Sequence, residues 1–110
     1  MSRKTTIQFE IDLDDANVPD RIVWAASDMP EDQNPETRSI SVSIWDPQAK
    51  NTLRIDLWTK EMTVPDMKRF YIDSIGGLAQ SVLEATGDEK MANDMKALCD
   101  RLVQHVRDQG

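Results

Sequence analysis

Through its first half the chain alternates apolar and polar residues with a period of two. Ile7, Phe9, Ile11 and Leu13 share one parity and Gln8, Glu10 and Asp12 the other, the pattern of a strand with one buried face. Asp14-Asp15-Ala16-Asn17 and then Pro19-Asp20 break it with turn formers. Ile22, Trp24 and Ala26 predict a shorter second strand. Ser27 to Thr37 carries Asp28, Glu31, Asp32 and Glu36 with Pro30 and Pro35, and reads as an exposed acidic loop. Ile40, Val42 and Ile44 then alternate with Ser39, Ser41 and Ser43. After a turn from Asp46 to Asn51, Leu53, Ile55 and Leu57 alternate with Arg54, Asp56 and Trp58. Short polar connections between such strands favour antiparallel neighbours, so the pattern predicts a four-stranded meander over about residues 4–60.

From Thr63 the period becomes helical. Thr63-Val64-Pro65-Asp66 has the form of a capping box, with proline in the first turn where its missing N–H costs nothing. Met67, Phe70, Tyr71, Ile75, Leu78, Val82 and Ala85 fall on one stripe. Gly76-Gly77 contradicts it, since each glycine costs about 1 kcal/mol against alanine inside a helix. A kink there, or a backbone too close for a side chain, would account for the pair. Gly87 suits a left-handed helix end, and Thr86 or Asp88 can cap a second helix. That helix carries Met91, Met95, Leu98, Cys99, Leu102 and Val106 on its apolar stripe. So short a link implies an antiparallel helical hairpin, about residues 63–107, packed on one face of the sheet. The expected fold is α+β, with order ββββαα, in a single domain spanning residues 1–110.

Composition narrows the function more than the fold. At 110 residues, with 39% hydrophobic and 30% charged residues, the chain has the make-up of one globular domain. Thirteen basic against twenty acidic residues leave a net charge of -7, which disfavours nucleic-acid backbones and anionic membrane surfaces. One cysteine, Cys99, and one histidine, His105, exclude a disulfide framework and leave the usual thiolate and imidazole metal sites nearly out of reach. No stretch reads as a membrane span or a secretory leader. A soluble cytoplasmic protein is expected.

Candidate chemistry thins on inspection. Asp12-Leu13-Asp14-Asp15-Ala16-Asn17 resembles a calcium loop, but Ala16, Asn17 and Val23 occupy positions that need an oxygen ligand, glycine and glutamate; a solvated turn fits better. His105 borders an apolar stripe with Asp108 three residues on, yet no serine or cysteine nucleophile sits in a recognisable setting. Cys99 belongs to the core stripe, where a thiol is inert. Gly76-Gly77 follows no strand and so makes no phosphate loop. No enzyme signature remains, and no catalytic, cofactor or metal residue is assigned.

One surface stands apart. If the turn runs from Asp46 to Asn51, Trp45 pairs with Thr52 and Ser43 with Arg54. The parity opposite the aliphatic row then carries three serines with Trp45, Arg54, Asp56 and Trp58. Exposed tryptophan and arginine are the residue types that anchor protein interfaces. The alternative is that other segments cover both rings and that Arg54 and Asp56 form local cross-strand pairs.

Trp45-Asp46-Pro47, followed by the run from Asn51 through Leu53, Arg54, Ile55, Asp56, Leu57, Trp58, Thr59 and Lys60 to Met62, closely resembles the gliding-motility-associated GldC family of the Bacteroidota. The likeness takes in the opening strand and its Leu-Asp turn, Asn17-Val18-Pro19 to Trp24, and Ala85-Thr86-Gly87 with Met91, Met95 and Cys99. It implies a small soluble cytoplasmic protein accessory to gliding, a process that shares machinery with secretion across the outer membrane. The family brings no catalytic or cofactor residues to transfer. The resulting expectation is a non-enzymatic adaptor that binds itself or a gliding or secretion component through Trp45, Arg54, Asp56 and Trp58, with a two-fold dimer favoured. The second expectation is an export chaperone, because four antiparallel strands followed by two helices are similar in topology to SecB-type chaperones. Shared topology does not imply shared function.

Overall fold

A computed structural model describes residues 2–30 and 32–110. Glu31 of the expected acidic loop lies outside the described residues. The elements are β1 (Ile7–Leu13), β2 (Pro19–Ala26), β3 (Glu36–Thr37), β4 (Ser39–Asp46), β5 (Asn51–Trp58), α1 (Val64–Thr86) and α2 (Glu89–Asp108). They form two compact units, Met1–Met62 and Thr63–Gly110.

The α+β class holds, with antiparallel strands and two helices. The single four-stranded meander does not. The strands form one sheet of order β1-β2-β3 and a second of β4-β5. The end of the expected acidic loop is itself the short strand β3, and the chain passes from one sheet to the other at Arg38.

Charge explains the break. In the β2–β3 register Ile22 pairs with Thr37 and Val23 with Glu36. One more step would set Arg38 directly opposite Arg21, and like charges so placed destabilise a ladder. Instead Arg21 turns to Glu36 at 3.6 Å and Arg38 to Glu61 at 3.4 Å. The Thr37 hydroxyl donates to the Ser39 carbonyl at 3.2 Å, and the Arg38 carbonyl accepts from the Thr59 N–H at 2.8 Å. Backbone groups released by β2 thus find partners elsewhere, as they must. Within this unit an ion pair between Lys60 and Asp14 ties the end of β5 to the β1–β2 turn.

The helical unit begins and ends as its residue types require. Thr63 caps α1 by accepting from the Asp66 N–H at 3.2 Å, with proline in the first turn. Gly87 ends α1 in the left-handed region, at φ 72°, and Asp88 caps α2 by accepting from the Met91 N–H at 2.9 Å. Helix α1 runs unbroken through Gly76-Gly77. A Cβ on Gly76 would lie 4.0 Å from Cys99 Sγ, and one on Gly77 would meet nothing. The neighbour at Gly76 is therefore a side chain of α2 rather than a backbone. The Cys99 thiol lies 3.7 Å from the Ile72 carbonyl, so the seam between the helices follows Ile72 and Gly76. Ala79 and Ala92 are the buried hydrophobic residues of this unit. Tyr71 and Leu78, on the expected stripe, are exposed.

Candidate functional site

The β4–β5 hairpin pairs Ser39 with Trp58, Ser41 with Asp56, Ser43 with Arg54 and Trp45 with Thr52. Alternate pairs, among them Val42 with Ile55, take the opposite face. All four residues singled out from the sequence therefore share one face, in the register that the Asp46–Asn51 turn implies. That turn is built by Asp46, whose carboxylate accepts from the Gln48 and Ala49 N–H groups at 3.0 and 3.2 Å, while its carbonyl accepts from Lys50.

Arg54 lies at the centre of the face. It donates to Asp56 from Nε at 3.2 Å and from Nη2 at 2.8 Å, a two-pronged grip on the carboxylate. Nη1 also reaches the Ser43 hydroxyl at 2.5 Å, and Nη2 the Ser41 hydroxyl at 2.5 Å. The Ser41 hydroxyl in turn donates to Asp56 at 2.6 Å, closing a ring of arginine, serine and aspartate. The Arg54 guanidinium and the Ser41 hydroxyl together hold the Asp56 carboxyl below its ordinary value. Arg54 and Asp56 thus each make the expected cross-strand contact, Arg54 with Ser43 and Asp56 with Ser41, and also meet one another along the strand. Trp45 and Trp58 stand at opposite corners of this network, 60% and 50% exposed. Beside Trp58 a shallow notch of about 190 Å³ is lined by Val18, Pro19, Asp56 and Leu57.

Sequence reasoning placed Ser41 and Ser43 on this face without giving them a part in it. Their signal was the strict alternation of hydroxyl side chains opposite a charged pair. The Asp14–Lys60 pair was missed altogether. It holds Asp14 below its ordinary value and Lys60 above its own. Asp14 also accepts from the Ala16 and Val18 N–H groups, so the residue that suggested a calcium ligand is engaged in a turn. His105 lies exposed in the last turn of α2, while Asp108 accepts from Gln104 at 2.9 Å. Among the described residues no three His, Cys, Asp or Glu side chains are grouped as a metal ion would need. No described helix is long and apolar enough to cross a membrane.

Comparison with known families matches residues 19–108 to the gliding motility-associated protein GldC-like family. The chain belongs to that family. The match takes in β2 to β5 and both helices, and so includes every residue of the Trp45–Trp58 face. Family membership associates this GldC-like chain with gliding motility. No curated protein and no solved structure matches it.

Proposed function

We propose that this GldC-like protein is a non-enzymatic accessory protein of gliding motility and of the secretion machinery linked to it. It acts in the cytoplasm as an adaptor, and its contact surface is the β4–β5 face that carries Trp45, Arg54, Asp56 and Trp58. The observation that carries the reading is the ring of hydrogen bonds around Arg54. A long arginine already fixed in one geometry has less rotamer freedom to lose on binding. Two exposed indoles flank it, and tryptophan and arginine are the side chains on which interface energy concentrates.

The test is a crosslinked pull-down of the tagged protein from its native cells, with an Arg54→Ala/Trp58→Ala double variant run beside it. A few motility or secretion components, captured by the parent and lost in the folded variant, are expected. Equal capture by both would remove this face from the mechanism.

A second reading, an export chaperone, draws support from the other face of the same hairpin. There Ile44, Leu53 and Ile55 are each about half exposed, and a continuous apolar surface is what a holdase offers to unfolded clients. Its signature is suppressed aggregation of unrelated unfolded proteins at stoichiometric amounts, with newly made exported proteins dominating the pull-down.

A further inference from the structure

We infer that the β4–β5 face binds a second copy of this chain about a two-fold axis that lies at right angles to the strands. The inference rests on the adaptor reading in taking this face as a contact surface, and it names the occupant.

The argument comes from the order of residues on the face. From one end to the other the cross-strand pairs run Ser39–Trp58, Ser41–Asp56, Ser43–Arg54 and Trp45–Thr52. A two-fold axis between the second and third pairs, lying in the plane between two stacked faces, reverses this order along each strand. It sets Arg54 of one copy over Asp56 of the other, twice. The same rotation carries Trp58 over Thr52 and Trp45 over Ser39, so each indole meets a short side chain and not a second indole. Size and charge are both complementary to themselves. A heterologous partner would need no such relation between the two diagonals.

The charge of the whole chain restricts where two copies can meet. Two copies at -7 each repel one another over most of their surfaces. Here Arg54 and Asp56 cancel, and stacking alternates their signs in a ring of four. Sheets pack face to face at about 10 Å, a gap that arginine and tryptophan can span from both sides. About eight residues a side is well short of the 20–30 of a standard interface, so the dimer should dissociate in the micromolar range or above.

Sedimentation equilibrium on the full chain, from micromolar to millimolar, tests this. The parent should dimerise with concentration, and Arg54→Asp alone or Asp56→Arg alone should weaken the dimer at least about tenfold. Mixing the two variants should restore it as a heterodimer, since every crossed pair then joins opposite charges. A misfolded variant would not be rescued this way, and circular dichroism checks each alone. A monomeric parent throughout, a single variant that dimerises as tightly as the parent, or folded variants that fail to pair when mixed would each overturn the inference. A monomer that still captures motility components through Arg54 and Trp58 would sink self-association and leave the adaptor standing. A dimer that captures nothing would do the reverse.

Discussion

The two β-hairpins, β1–β2 and β4–β5, share two features of their turns and present quite different outer faces. Each turn is led by an aspartate whose carboxylate accepts backbone N–H groups, Asp14 in one and Asp46 in the other. Each also holds a non-glycine residue in the left-handed region, Asn17 at φ 63° and Lys50 at φ 53°. Beyond the turns they diverge. The β1–β2 register shifts between Asp12 and Leu13, while the β4–β5 register runs true over eight pairs. Facing outward, β1–β2 carries Glu10 opposite Val23 and Asp12 opposite Arg21, an ordinary solvated surface. The β4–β5 face instead closes a hydrogen-bonded ring between two tryptophans. What a turn fixes is register; whether the resulting face does anything depends on which side chains that register brings opposite one another.

The largest test of this contrast removes one arginine from each hairpin. Arg54→Ala should weaken self-association at least about tenfold. Arg21→Ala breaks only an exposed pair and should leave association unchanged, with stability within about 0.5 kcal/mol of the parent. Equal effects would erase the distinction. Acid should act on the same contact. The Asp56 value is lowered in the folded chain, so its contribution is full above the ordinary aspartate value of 3.8 and falls away as pH drops through the lowered one. Because Arg54 and Ser41 of the same chain already lower Asp56, its part in association should persist as pH falls from 7 and be lost only below 3.8.

Smaller effects sharpen the likeness of the turns. The helical hairpin ends its first helix on the same backbone conformation but uses Gly87. Gly87→Ala should cost about 1 kcal/mol in thermal or denaturant unfolding. Lys50→Gly should gain about 0.5–1 kcal/mol, because lysine bears a left-handed strain that glycine does not. Asn17→Gly should change stability by only a few tenths, since asparagine tolerates that region. A reversed order of Lys50 and Asn17 would show that side-chain contacts, and not backbone strain, set the cost of these turns.

The candidate face was legible before the structure because Asp46 and Asn51 bracket its turn so clearly that parity alone assigns Trp45, Arg54, Asp56 and Trp58 to one side. What parity could not show is the pairing within the face, since Arg54 is long enough to choose between Asp56 beside it and the serines across. The parting of the sheets at Arg38 was hidden for another reason. Alternation from Ser39 onward announces a strand but is silent about which neighbour its leading residues keep, and that depends on Arg21, far back in the chain. The apolar stripe of α1 names Met67, Phe70, Ile75 and Val82, all partly buried, but passes over the small residues of the hairpin seam because such stripes are weighted by large side chains. Gly76 and Ala79 add little to such a stripe, so the eye settles on Tyr71 and Leu78, which are exposed.

The parting at Arg38 also bears on how the chain is made. Among the described residues every strand ladder joins a strand to the next one along, β1 to β2, β2 to β3 and β4 to β5, and α1 meets α2. No described ladder waits for a strand from the far end of the sequence, and such local pairing is the kind that forms fast. As the polypeptide leaves the ribosome, the first hairpin can close before Trp45 has emerged, and the tryptophan face can be complete before the two helices have emerged.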